Sequence, residues 1–429
     1  MQIVLKGIML LDPQQKLNQK ADLFIVDGII NKVGNLSKDD YRHSTVYDFE
    51  DKYCAPGFFD MHVHLREPGR EDEETVITGS NAAAAGGFTG IACMPNTSPV
   101  IESAEVVRFI KEKSASHLVD VYPIGAATHE RKGEALAAMN ELFEAGAVAF
   151  SDDGSVIKTS SILRMAMEYA KMFDAPIIEH CEDPSMADGA MNEGFTSTLL
   201  GLPAIPSIAE DIIVMRDIMV AEYIKGKLHI AHISTKNAVE LVRQAKKKGI
   251  NVTAEVTPHH FTLNEEELKV YDTNFKMNPP LRSQLDVDAM IEGLKDGTID
   301  CIATDHAPHS IEEKEMEFIY APNGIIGLET ALGLAITYLV EKKHLTLGQV
   351  IEKLAINPRK ILNLPVPTIK EGEAANLTIF DPKVKWTVDI KKFKSKSKNS
   401  PFDKMELTGK SVAVVNKSKI YFEDKLVNI

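Results

Sequence analysis

The chain has 429 residues, 44% of them hydrophobic and 26% charged, with 48 Lys and Arg against 62 Asp and Glu for a formal charge of -14. This composition excludes a disordered or fibrous chain and suffices for one large domain with an accessory, or for two to three domains of ordinary size. The negative balance excludes nucleic acid and anionic membrane surfaces as general partners, and a small anionic substrate needs one or two locally placed arginines.

Residues 2 to about 55 alternate apolar and polar residues in short runs, QIVLKGIMLLD and DLFIVDGIINKVG, and Asp27-Gly28 supplies hairpin turn chemistry, so a small β unit is expected here. The segment MQIVLKGIMLLDPQQ lacks the features of an export signal, and no run approaches 18 apolar residues, which reads as a cytoplasmic protein. From residue 56 the pattern changes. Near-continuous apolar runs of strand length follow: GFFDMHVHL, FTGIACMPN, VDVYPIGAAT, AVAFSDD, PIIEHCE, KLHIAHIS, VTAEVTPHHF and DCIATDHAPH. Amphipathic stretches at 102–116, 159–173, 207–225 and 236–248 lie between them. This alternation predicts the α/β class, as a (β/α)8 TIM barrel over 56–365. An open doubly wound sheet is the alternative, but no Gly-x-Gly-x-x-Gly turn follows the first strand. Short β runs return in NLTIFD, SVAVVN and KIYFED, so 366–429 is expected to join 1–55 in one small β-sandwich. The lysine-rich KKFKSKS at 391–397 reads as a solvated loop. Cys54, Cys93, Cys181 and Cys301, far apart, read as buried free thiols in a reducing compartment.

Polar residues crowd the C-terminal ends of the runs: His62 and His64, Asn96, Thr128, Asp152 and Asp153, His180, His232, His259 and His260, Asp305 and His309. In a barrel those ends share the face on which catalytic groups sit. His62 and His64, two apart, project to one side of the first strand together with Asp60. Taken alone, such a pair is equally well read as a strand exposing two polar residues, and a lone His180 or His232 as a hydrogen-bonded core group. Four imidazoles and the Asp305 carboxylate arriving at one mouth are a different matter, because buried polar groups need partners and a cation supplies one. Nitrogen and oxygen donors without thiolate favour zinc, with manganese or cobalt as replacements.

The segments PGFFDMHVHLREPG, AAAAGGFTGIACMPNTSPV, IIEHCED, HIAHIS, VTPHHF, MNPPLR and IATDHAPH, with EGEAANLTIFDP and SKSKNSPFDKMELTGK, resemble the dihydroorotases. The likeness is to the bacterial type I group of the amidohydrolase superfamily and runs over essentially the whole chain. It implies the reversible cyclisation of N-carbamoyl-L-aspartate to (S)-dihydroorotate plus water, in pyrimidine biosynthesis. It also implies two Zn2+ per subunit, one on His62, His64 and Asp305 and the other on His180 and His232. In the hydrolytic direction a metal-bridged hydroxide attacks and Asp305 moves its proton.

Hydantoinases and allantoinases bridge their metals with a carboxylated lysine on the fourth strand. AVAFSDDG has no lysine, and Lys158 comes too late. The aspartate bridge of the type I group therefore falls on Asp153, with Asp152 as the alternative; alone, SDDG reads as a turn. Arg66 and Asn96 are expected to hold the substrate carboxylate, with a surface ion pair to Glu67 or Glu71 as the other use of Arg66. Similarity to the family adds His64, Asn278, His309 and the backbone near Asn323 and Gly324 as substrate contacts, and leaves His259 and His260 as supporting or core groups. The long polar segment 306–324 is expected to close over the substrate. Competing readings are a hydantoinase or allantoinase, and a catalytically silent barrel partnering aspartate transcarbamoylase. The filled ligand positions count against silence without excluding a complex, and a homodimer is also open.

Overall fold

The computed structural model describes residues 1–429, and segments from both chain ends meet in one nine-stranded sheet. Its seam is Tyr53–Pro56, which runs parallel to Gln2–Asp12 and antiparallel to Leu377–Thr387, with Pro56 opposite Leu377 and Tyr53 opposite Phe380. Leu17–Val26, Ile29–Gly34 and Thr45–Asp48 complete the N-terminal part, and Glu406–Asn416, Lys419–Phe422 and Lys425–Asn428 the C-terminal part. Asp27 and Gly28 turn the hairpin between Leu17–Val26 and Ile29–Gly34 with φ of 48° and 79°, the left-handed pair such a two-residue loop requires. Ile3, Leu5, Ile8 and Leu10 from one end and Leu377, Ile379 and Val415 from the other share the core of this unit.

Between these ends lie eight parallel strands at the eight expected runs. They are Phe58–Val63, Phe88–Cys93, Asp120–Pro123 continued by Gly125–Ala126, Phe150–Ser151, Ile177–Glu179, Leu228–Ile230, Val252–Val256 and Cys301–Ile302. Each pairs with the next. The ring closes where Val63 bridges His306 and the His64 N–H donates to the His306 carbonyl at 2.8 Å. Every residue of the first two strands is buried, which explains why they read as continuous apolar runs rather than alternations. Helices Ala104–Ser114, Ser160–Ala170, Ile208–Ile224 and Lys236–Lys247 occupy the amphipathic stretches. Thr159 and Thr235 start two of them by accepting the Ile162 and Ala238 N–H.

Phe58 and Phe88 from the barrel floor meet Phe380 from the terminal sheet, with Phe58 centroids 6.2 and 5.9 Å from the other two. Burying each such ring stabilises by about 1.5–3 kcal/mol, so the two units share a core rather than a linker. All four cysteines are buried free thiols. No helix is long and apolar enough to cross a membrane.

The reading of 391–397 as a solvated loop needs correction. Lys391, Lys392 and Lys396 are exposed, but Ser395 and Ser397 between them, and Asn399 and Ser400 beyond, are buried. The segment is a strap lying on the barrel rim: Lys394 pairs with Asp424 and Lys396 donates to the Glu71 carbonyl, while Ser395 donates to the Glu74 carboxylate and Ser397 and Asn399 to backbone carbonyls. Lysine content reported only the outer face.

Candidate metal centre and substrate pocket

Asp153, in the turn after the fourth barrel strand, lies between two histidine pairs. Its Oδ1 is 3.4 Å from His62 Nε2 and from His232 Nε2 and 3.6 Å from His180 Nδ1, while Oδ2 is 3.5 Å from His64 Nε2. Asp305, after the eighth strand, puts Oδ1 2.9 Å from His64 Nε2 and 3.5 Å from His62 Nε2. Two ligand groups result, His62, His64 and Asp153, and Asp153, His180 and His232, joined by one carboxylate. Asp152 faces elsewhere: it accepts the Thr128 N–H at 2.9 Å and the Thr128 hydroxyl.

The atoms turned inward fit a cation. His62 Nε2 and Asp153 Oδ1 are buried with no hydrogen-bond partner although they face one another. His180 Nδ1 and His232 Nε2 converge to 3.0 Å, so that both ring nitrogens stand beside the Asp153 carboxylate where one ion could take both. Electrostatics agree. Burial pulls His62 and His180 down, but Asp153 with Glu255 raises His62 well above the imidazole range, and Asp153 with Glu182 raises His180 to about 10. Burial likewise opposes ionisation of Asp305, yet the His64 bond and the charges of His62, His64 and His232 hold it well below the usual carboxylate range. A site that pulls protons onto imidazoles this strongly attracts divalent cations by the same field.

The ligands are aimed from behind. Glu255, on the seventh strand and fully buried, is 2.6 Å from His62 Nδ1 and 3.1 Å from His229 Nε2, which leaves His62 Nε2 for the centre. Asn96 Oδ1 does the same for His64 by accepting from Nδ1 at 2.8 Å. Asp60 accepts the backbone N–H of His62 and Thr304, both at 3.1 Å, and so ties the first strand to the eighth. Its carboxylate does not join the histidine face. Arg66, His232 and Asp305 hold left-handed φ of 60°, 28° and 48°, a cost of roughly 1–3 kcal/mol each that their contacts must offset.

A cavity of about 190 Å³ opens beside the ligands, lined by His64, Arg66, Asn96, Asn278, His309, Asn323 and Gly324, all of the expected substrate contacts. The ion pair Arg66 makes is neither with Glu67 nor with Glu71: its Nε lies 3.2 Å from Glu73 Oε2 and donates to the Pro308 carbonyl at 3.0 Å. Glu67 is taken by Lys113 and the Val76 N–H, and Glu71 by the Gly69 N–H. Asn278 donates to Glu182 at 3.1 Å while its Oδ1 is buried and unpartnered. His309 sets Nδ1 3.0 Å from Glu73 and Nε2 2.8 Å from the Asn323 carbonyl. Gly324 has φ +135°, and a Cβ there would stand 2.7 Å from that of Ala307. His260 lies between Thr257 Oγ1 and the Pro279 carbonyl, 2.8 and 3.0 Å away. His259 is buried beside it and pushed by burial down to about 3, which keeps it neutral.

Sequence reasoning missed Glu255, Glu73 and Glu182. A glutamate inside the apolar run VTAEV was the one legible signal, since a buried carboxylate demands partners.

A closed parallel barrel carrying a histidine and aspartate metal centre at the strand ends defines a metal-dependent amidohydrolase. The fold is that of the L-hydantoinase from Arthrobacter aurescens, with a TM-score of 0.88 at 25% identity over 100% of this chain and 97% of that one. The dihydropyrimidinase from Brevibacillus agri gives 0.85 at 21% identity over 100% and 96%. A family model described as dihydro-orotase-like matches residues 51–238. Full-length relatives include the dihydroorotase of Acetivibrio thermocellus, 49% identical over 99% of this chain and 100% of that protein. The dihydroorotase of Pelotomaculum thermopropionicum is 48% identical over 100% of both. The chain belongs to the dihydroorotase family.

Proposed function

We propose that the chain catalyses the reversible cyclisation of N-carbamoyl-L-aspartate to (S)-dihydroorotate plus water, a step of pyrimidine biosynthesis, with two zinc ions as its resident metals. The observation that supports it most is the Asp153 carboxylate shared between two histidine pairs and opening on the Arg66 pocket. His62, His64 and Asp305 would hold one ion and His180 and His232 the other, with Asp153 common to both. When bound, the metals supply a Lewis acid for the amide carbonyl and an acidified water.

The chain's own residues do the rest. Arg66 presents a planar two-pronged donor to the substrate carboxylate that does not react, and the free Asn96 amide adds a directed bond. Asn278 offers its unpaired Oδ1 to a substrate N–H. In hydrolysis Asp305, ionised at rest, accepts the proton of the attacking oxygen and delivers it to the departing ring nitrogen. In cyclisation it accepts the proton of the attacking ureido nitrogen as the C–N bond forms and gives that proton to the oxygen leaving the β-carboxylate. His309 touches substrate at the pocket edge, and 306–324 closes over it.

The hydantoinase reading needs a lysine at the bridge, but Lys158 is half exposed and 3.5 Å from Glu134. A silent barrel has no need of the complete ligand set. The division into 1–55, 56–365 and 366–429, a cytoplasmic setting, a homodimer and a complex with aspartate transcarbamoylase belong to the same proposal. The test measures metal content and ring closure of carbamoyl aspartate in the natural chain and in Asp305→Asn. The variant should lose about 10²- to 10⁴-fold in kcat, and undiminished activity would refute the assigned proton transfer.

A further inference from the structure

The strap at 394–400 does more than cover the rim. Ser397 Oγ donates to the Glu73 carbonyl at 2.7 Å, and Glu73 is the carboxylate that faces both Arg66 and His309. Two residues on, Asn399 spends both polar atoms of its side chain and its carbonyl on the pocket wall. Its Nδ2 donates to the Ala307 carbonyl at 2.9 Å and the Gly324 carbonyl at 3.1 Å, and its Oδ1 accepts the His309 N–H at 3.1 Å. Its own carbonyl accepts the Ile326 N–H at 2.9 Å. Residues 307–309 and 323–326 line the pocket side by side as two walls, joined directly where the Ala307 N–H donates to the Ile325 carbonyl at 2.8 Å, and this side chain ties both of them to the strap. It is 5% exposed.

We propose that Asn399 is a positioning residue for substrate binding, a role that rests on the pocket assignment made above. Only a primary amide offers two N–H donors and one acceptor in a plane at this reach. An aspartate would set a carboxylate oxygen against two carbonyl oxygens, and a shorter residue would leave the Ala307 carbonyl and the His309 N–H unpaired in a buried place. The Ala307 N–H to Ile325 carbonyl bond and the His309 Nε2 contact with the Asn323 carbonyl also link the walls, but neither satisfies the Ala307 carbonyl or the His309 N–H that Asn399 engages. Lys314 Nζ donates to the carbonyls of Pro322 and Gly324 at 2.9 and 3.1 Å, which fixes the second wall to its own loop. The strap therefore couples the pocket to the terminal sheet strands Leu377–Thr387 and Glu406–Asn416 that flank it in sequence.

The experiment compares Asn399→Ala, Asn399→Ser and Ser395→Ala in the full-length metal-loaded chain, measuring kcat and KM for dihydroorotate and carbamoyl aspartate, metal content and Tm. Ser395 is also buried in the strap but donates to Glu74, which reaches the walls only through the His306 imidazole at 3.3 Å and bonds none of the groups Asn399 engages. Loss of the wall bonds should raise KM about tenfold or more in both directions with a much smaller change in kcat, and metal content should be unchanged. Ser395→Ala should lower Tm and leave KM alone. If either Asn399 variant folds and keeps the parental KM, or if Ser395→Ala raises KM as much, Asn399 is a structural staple and the proposal falls. Arg66→Ala separates the two readings: an unchanged KM there refutes the pocket assignment itself.

Discussion

Glu255→Gln tests whether the histidines are aimed by charge as well as by shape. Burial alone would raise Glu255, but the His62 charge and the bonds from His229 and His62 bring it to about 2, so it is a carboxylate at working pH. Glutamine keeps an oxygen for His62 Nδ1 and turns an amide N–H toward His229 Nε2, so the packing survives and the charge is lost. A bond to an ionised acceptor is roughly twice as strong as a neutral one. Removing such support behind a metal-ligating imidazole weakens the metal by about 10- to 100-fold, or roughly 1.4–2.7 kcal/mol. Glu255 lies behind His62 and touches the second pair only through the His232 backbone N–H at 3.3 Å. The loss should therefore fall on one ion of the two. Chelator competition with zinc, read as metal per chain, should show one weakened and one nearly parental affinity, with Tm of the metal-free protein little changed. Two parental affinities would refute the reasoning.

Asp153→Ala should abolish metal retention, whereas Asp152→Ala should cost about 1–3 kcal/mol of stability through the orphaned Thr128 groups and keep the metal; equal metal content in the two variants would overturn the bridge assignment. Burial pushes Glu329 up to about 8, against the Ser395 and Lys394 N–H bonds that pull it down, from an ordinary value of 4.5. Between those values unfolding releases a proton, so stability falls as pH rises, by at most about 1.4 kcal/mol per unit. Glu329→Gln should therefore gain in Tm over the parent from about pH 5 to about pH 8, and a constant difference would refute the shift. Carbamoyl aspartate carries two carboxylates and dihydroorotate one, so ring closure consumes a proton and the equilibrium ratio should move about tenfold per pH unit toward the ring in acid. A ratio independent of pH would exclude this reaction.

The barrel was legible because a strand buried on both faces must be apolar throughout, as Phe58–Val63 and Phe88–Cys93 are. The ligands were legible because a histidine or aspartate ending such a strand stands on the catalytic face wherever the strand sits in the ring. Family likeness then assigned Asp153 its role.

What chain order alone determined was therefore the set of chemical groups delivered to the mouth. Their partners were decided by the tertiary structure. Glu255 lies 193 residues from His62, Ser397 lies 324 from Glu73, and Asn399 lies 92 from Ala307. Periodicity reports which way a side chain points relative to its neighbours in sequence. It carries no information on what barrel closure and the returning strap bring within hydrogen-bond reach, and at that distance the carboxylates and amides of this site acquire their charge, their orientation and their use.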